Sequence, residues 1–397
     1  MTKIEDETPI SGKRSMVRAI FRIQLRSTRI SKLLDFARRF EQINGCELAS
    51  RVEAVVDTTS SAPHRLRGRR PRGRWQHVYA ALDLGTNNCR LLVARPTHNG
   101  FRVIDAFSRI VRLGEGVSAS GLLSDEAISR TISALKVCAG KMRRRHVTRS
   151  RSIATEACRR ASNCDEFLRQ VREEAGLEID IISPAEEAEL ALAGCSPLLD
   201  DRCRRALVFD IGGGSTELMW LGLEIGEKPK VLGWTSLPCG VVTLSEEFGD
   251  CGGDSAGYTG LVKHVSDLLD PFVADHDMQS AIKAGDVHML GTSGTVTTLA
   301  AVHLGLTRYD RSRVDGIWLS IGELDSVTRE VSAMPYEQRA NHACIRRGRA
   351  DLVIAGCAII EAISKAWPAQ RVRVADRGLR EGLLQGLMQA ADADLRP

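Results

Sequence analysis

One strand-turn-strand grammar occurs twice in this chain. ALDLGTNNCRLLV around Asp83 and ALVFDIGGGSTELMWL around Asp210 each run an apolar strand into an aspartate, a glycine turn and a second apolar strand. The two aspartates stand 127 positions apart. So long an internal echo constrains the fold to duplicated domains facing one cleft. Between the copies, helical periodicity (SDEAISRTISALKVCAGKMRR, NCDEFLRQVREEAG) alternates with short strands (RSIATEA, EIDIISP), which makes the class α/β. The second half adds HMLGTSGTVTTLAAVHLG, a strand running into a hydroxyl-rich turn and a helix. It closes with the apolar helix RADLVIAGCAIIEAISKAW and the strand-turn-helix RVRVADRGLREGLLQGLM. The expected organisation is a flexible basic extension over 1–75, a first domain over 76–205 and a second over 206–397, the last helix returning to the first domain.

Charge is informative only once it is divided by position. The whole chain carries +5, but residues 1–75 alone carry +9 and the remainder −4, so the body is not a basic nucleic-acid platform. Residues 16–40 alternate basic and apolar positions, the pattern of a basic amphipathic helix or a solvated extension. Aromatic residues make up 5% of the chain, too few for a base-stacking surface, and sequence-specific nucleic acid is not an expected partner. No apolar run is long enough for a membrane span. The eleven cysteines form no C-x-x-C pair and the nine histidines no H-E-x-x-H, so zinc has no spacing to rest on; reduced thiols in a cytoplasmic compartment are expected.

The chemistry lies in the turns. DLGTNN and DIGGGST each place backbone N–H groups and short side chains at a strand end, with glycine admitting close approach and positive φ, and anionic oxygens are the natural guest. Neither is a Walker A loop or a G-x-G-x-x-G fingerprint. Two facing copies would grip a chain of phosphates from both sides. Asp210 and Glu217 bracket the second turn, where bare carboxylates would repel phosphate; Mg²⁺, which takes one or two carboxylates plus phosphate oxygens and water, resolves that conflict. Thr292 and Ser293 offer hydroxyls at a helix N-terminus. Glu186, Glu187 and Glu189 cluster in the first turn of a helix with apolar residues Leu190, Leu192 and Ala193, where acids ordinarily complement the helix dipole.

Taken in order, ALDLGTNNCRLLV, IATEACRRASN, IISPAEEAELA, VFDIGGGSTEL, LGTSGT and ADRGLREGLL make the chain resemble the exopolyphosphatase/guanosine pentaphosphate phosphohydrolase (Ppx/GppA) family over about four fifths of its length. The resemblance implies an actin-like pair of ribonuclease-H-like domains with the site between them. It also implies that Glu187, or Glu186 as the fallback, is the base acting on water, and that Asp210 and Glu217 ligate Mg²⁺. Phosphate loops are implied at Gly85, Thr86, Asn87 and Asn88 and at Gly212, Gly213, Gly214 and Ser215, with Arg159 as a cationic contact; Arg90 joins it from our own reading of the residues. The family's first loop commonly reads DIGSNS, and here Asn88 replaces the second serine. The chain resembles the short, two-domain members of the family.

The activity this implies is hydrolysis of the terminal phosphoanhydride of inorganic polyphosphate, releasing orthophosphate. The alternative substrate is guanosine pentaphosphate. A sugar kinase, or a non-enzymatic nucleotide or polyphosphate sensor, belongs to a different class on the same fold. Preferred chain length and oligomeric state stay open, a homodimer included.

Overall fold

The computed structural model describes residues 73–200, 202–276 and 278–394, and in it the two strand-turn-strand copies occupy the same place in two separate sheets. The first sheet contains β1 (Tyr79–Leu84), β2 (Asn88–Thr97), β3 (Gly100–Ile110), β4 (Arg149–Ala154) and β5 (Asp180–Ile181), in the order β3-β2-β1-β4-β5. The second contains β6 (Arg205–Ile211), β7 (Thr216–Gly222), β8 (Lys230–Leu237), β9 (Val287–Thr292), β10 (Trp318–Ser320) and β11 (Arg371–Ala375), in the order β10-β11-β9-β6-β7-β8. In each, three antiparallel neighbours (β3-β2-β1 and β8-β7-β6) continue through two parallel pairings, β1-β4-β5 and β6-β9-β11. Order and direction repeat, and the second sheet adds only the antiparallel β10. This is a duplicated α/β, actin-like architecture.

Parallel neighbours need crossovers, and helices supply them. We label α1 (Asp125–Arg144), α2 (Cys164–Ala175), α3 (Pro184–Cys195), α4 (Val241–Phe248), α5 (Ser255–Asp275), α6 (Gly294–His303), α7 (Ile321–Ala333), α8 (Val353–Ala366) and α9 (Leu379–Ala393). Serine caps start several of them: Ser124 Oγ accepts from Ala127 N, and Ser183 Oγ accepts from Glu186 N with Pro184 at the first helical position. The RSIATEA segment is strand only as far as Ala154. A short helix, Glu156–Arg160, follows at once and turns Glu156 toward the cleft.

Helix α9 closes the molecule by packing on the first sheet. Leu383, Leu384 and Met388 bury against Tyr79, Ala81 and Leu92, each such side chain contributing roughly 1.5–3 kcal/mol by its removal from water. The face that α3 buries is made of small residues, Ala188, Ala191, Gly194 and Cys195, rather than the leucines its sequence suggested. Close contact explains the difference. A Cβ on Gly194 would lie 1.9 Å from the Gly378 carbonyl oxygen, and one on Gly382 would lie 2.0 Å from that of Leu190. α3 and α9 therefore touch backbone to backbone, which fixes the helix carrying Glu187.

Residues 73–75, assigned to the extension on sequence, belong to the body: Gly73–Gln76 forms a 3-10 turn, Arg74 N donates to Asp392 Oδ1 (2.9 Å), and Tyr79 Oη donates to the Arg74 carbonyl. The rest of the basic extension lies outside the described residues. Every described cysteine is a free thiol, and no described helix is long and apolar enough to cross a membrane.

Candidate active site

The two copied turns meet. Gly85 N donates to Asn88 O and Gly212 N to Ser215 O, both at 2.9 Å, so each loop closes on itself in the same way. The first is braced from outside, where Val111 N and Arg112 N donate to Asn87 O and Gly114 N donates to Thr86 O. The second rests on the start of α4, whose Val241 and Val242 N–H groups donate to the carbonyls of Gly212 and Gly213. Positive φ is not the reason for glycine here, since none of Gly85, Gly212, Gly213 and Gly214 adopts it. Proximity is. A Cβ on Gly213 would sit 2.9 Å from Thr86 Cβ, and one on Gly214 would sit 2.8 Å from Glu156 Cγ and 2.9 Å from Thr86 Oγ1.

A cleft of about 1170 Å³, open solvent at its mouth included, is walled by both loops and by Asp83, Arg90, Glu156, Glu187, Asp210, Thr292 and Ser293. Two of the residues assigned to the site on sequence, Arg159 and Glu217, stand behind its wall. Arg159 turns its guanidinium to Glu156 and Glu187. Glu217 is 2% exposed, faces Asp210 across the β6-β7 pair, and accepts from Ser236 Oγ at 2.8 Å. The hydroxyls of the third turn have internal partners: Thr292 Oγ1 donates to Arg377 O (2.8 Å), and Ser293 Oγ caps α6 by accepting from Thr295 N and Val296 N. Ser293 holds φ 139°, a strained value for a residue with a side chain.

Adjacent glutamates diverge. Glu187 lines the cleft, with Oε2 accepting from Arg159 Nη1 at 2.9 Å. Glu186 points outward to Arg151, 2.7 Å away. Helical geometry enforces this, because successive residues cannot face one direction. Burial and the nearby Glu217 push the Glu187 carboxyl well above the ordinary carboxylate range, against the pull of Arg159. Burial, with Glu217 beside it, takes Asp210 to about 7, and burial also raises Asp83 and Glu217.

Burial is the chief cause that raises all four carboxyls. Asp210 lines the cleft, with Glu217 opposite it across the β6-β7 pair, and their carboxylate oxygens are the donor type that Mg²⁺ takes. Among the described residues no three Asp, Glu, His or Cys side chains are placed to hold a metal by themselves. The first loop carries an open valence as well: among the described residues, buried Thr86 Oγ1 and Asn87 Oδ1 have no hydrogen-bond partner.

Sequence reasoning missed Glu156, Arg349 and Arg380, all on the cleft wall. Arg349 and Arg380 join Arg90 as three guanidiniums that form no ion pair among the described residues. Burial, and repulsion from Arg90, lower the pKa of both Arg349 and Arg380. Arg90 Nη2 and Arg349 Cζ, from opposite lobes, each lie 3.6 Å from the position of a Cβ at Gly294, the first residue of α6. Two cations over a helix N-terminus make an anion site. The available signal was the arginine of ADRGLREGLL, which follows a strand-turn junction that here leads into α9.

Residues 92–391 match the Ppx/GppA phosphatase family. Exopolyphosphatase 2 of Mycobacterium tuberculosis is 31% identical over 296 residues, covering 72% of this chain and 89% of that protein. The guanosine-5'-triphosphate,3'-diphosphate pyrophosphatase of Aeromonas salmonicida is 29% identical over 312 residues, 78% of this chain and 59% of that protein. The crystal structure of the Aquifex aeolicus member of the Ppx/GppA family is 28% identical and superposes with a TM-score of 0.65, covering 81% of this chain and 99% of its own.

Proposed function

Because the chain belongs to the Ppx/GppA phosphatase family and is a phosphoanhydride hydrolase, we propose that its substrate is inorganic polyphosphate, cut at the terminal anhydride to release orthophosphate. The observation that carries this reading is the set of guanidiniums that form no ion pair among the described residues, Arg90, Arg349 and Arg380, lining the same cleft as both phosphate loops. A run of phosphates presents charge at every unit and can engage loops and arginines together. The Aeromonas relative supports guanosine pentaphosphate as the second reading, since its triphosphate end poses the same chemistry.

Phosphoryl transfer asks mainly for position and charge neutralisation. The backbone N–H groups of the two loops, with Thr86 and Asn88, hold the terminal phosphate. Arg90, Arg349 and Arg380 hold the chain behind it. Glu187 orients water toward the terminal phosphorus and accepts its proton. Asp210, with Glu217 opposite it, would hold Mg²⁺, which would supply positive charge to offset that of the phosphate groups. Glu187, raised by burial, regains its anionic form as positive charge enters the cleft.

The test is phosphate release from long polyphosphate, short polyphosphate, guanosine pentaphosphate and ATP in parallel, with Mg²⁺ and with excess chelator. Release from polyphosphate ahead of the other three, dependent on Mg²⁺, is expected. Preference for guanosine pentaphosphate would select the second reading, and inactivity on all four would overturn both.

A further inference from the structure

Arg159 engages protein through Nε and Nη1, while buried Nη2 has no hydrogen-bond partner among the described residues. Nη1 donates to the Ile182 carbonyl and to Glu187 Oε2, both at 2.9 Å. Nε donates to Glu156 Oε2 at 2.9 Å, and Nη2 lies 2.8 Å from the same oxygen. All three charged side chains are largely buried, at 14%, 18% and 15% exposed for Arg159, Glu156 and Glu187. The result is a Glu156–Arg159–Glu187 chain in which the cleft-lining ends are the two carboxylates.

Glu156 is anchored on its other side too. Its Cγ would sit 2.8 Å from a Cβ at Gly214, so the side chain is pinned between Arg159 and the second phosphate loop. A carboxylate pressed against a phosphate loop is unfavourable for a polyanion unless it serves something else. What it serves here is the direction of Arg159. With Nε hydrogen-bonded to Glu156 and Nη1 shared between the Ile182 carbonyl and Glu187, the guanidinium is turned to these protein groups rather than to the substrate.

We propose that Glu156 is a positioning residue for hydrolysis: through Arg159 it fixes the Glu187 carboxylate relative to the second phosphate loop. The inference rests on Glu187 being the base. Misplacing a reacting group by about 1 Å can cost about 10²-fold in rate, so Glu156→Ala is expected to lower kcat by about ten- to hundredfold. KM should stay within about threefold, because Glu156 holds no substrate phosphate. Both Arg159 contacts fall on one oxygen, so Glu156→Gln, which keeps a carbonyl oxygen there, should restore most of kcat. In a Glu187→Gln background, Glu156→Ala should cost nothing further, because the group it positions no longer takes a proton.

The proposal is overturned if Glu156→Ala leaves kcat unchanged, if its loss appears in KM, or if its effect multiplies with that of Glu187→Gln. An enzyme inert toward every phosphoanhydride would instead overturn the reading of Glu187 as base. In that case the crystal structure of Glu156→Ala decides positioning alone: a displaced Glu187 carboxylate supports it, and an intact 2.9 Å contact to Arg159 contradicts it.

Discussion

Residues 85–88 and 212–215 join equivalent strands and close through the same backbone bond at the same 2.9 Å, yet they differ in what fills them. The first loop keeps one glycine and buries Thr86 and Asn87, whose side-chain oxygens stand unpaired among the described residues. The second is glycine for three positions: a Cβ on Gly212 would lie 2.9 Å from the Ser215 carbonyl oxygen, and Thr86 and Glu156 occupy the space that side chains on Gly213 and Gly214 would need. Contact between the two turns leaves room for side chains on the first and almost none at Gly213 and Gly214 of the second. The second loop offers backbone N–H groups and the paired carboxylates; the first offers a hydroxyl, an amide and Arg90.

That asymmetry can be broken at its glycines. Gly213→Ala puts a methyl 2.9 Å from Thr86 Cβ and 3.2 Å from the Asn87 backbone nitrogen, so the loops must separate, and kcat/KM should fall by about 10²-fold or more. Gly85→Ala meets nothing nearer than 3.6 Å and should cost less than about tenfold by the same reasoning. Equal losses in steady-state assays would mean that proximity is not what distinguishes the loops.

The charges separate the loops in the same way. On the proposed reading Asp210→Asn should lower Mg²⁺-dependent phosphate release by about 10²-fold, and excess chelator should bring the parent protein to the same level, because Asp210, at the end of β6 before the second loop, would hold the cation. Arg380→Ala removes a guanidinium that forms no ion pair among the described residues and should raise KM for polyphosphate by about ten- to hundredfold, the range for a lost charge-assisted hydrogen bond, with a smaller change in kcat. An unchanged KM would place the chain elsewhere in the cleft.

The smallest effect concerns the third turn. Thr292 Oγ1 is spent on Arg377 O, so Thr292→Val should cost about 1 kcal/mol of stability, read as a lower Tm, while turnover stays near that of the parent. A large loss of kcat with unchanged Tm would return this hydroxyl to the substrate.

Local features were legible in the sequence where one segment determines its own structure. Asp83 and Asp210 announced both hairpins, helical periodicity in SDEAISRTISALKVCAGKMRR announced α1, and the acidic first turn at Glu186, Glu187 and Glu189 announced α3. What escaped needed distant chain. Arg349 and Arg380 acquire meaning only when Arg90, more than 250 positions away, arrives beside them. Glu156 was hidden in RSIATEA, whose apolar residues read as strand until the helix Glu156–Arg160 turned it inward. The small-residue face of α3 likewise made sense only with α9 against it.

The division between Glu187 and Glu186 carries the account, and one pair of variants tests it. Glu187→Gln keeps size and an acceptor for Arg159 but cannot take a proton, so kcat should fall by about 10²–10⁴-fold with KM nearly constant. Glu186→Gln should leave kcat near that of the parent, losing at most about 1 kcal/mol from its solvent-exposed pair with Arg151. Exchange of these two behaviours, or full activity in both variants, would contradict the placement of the base.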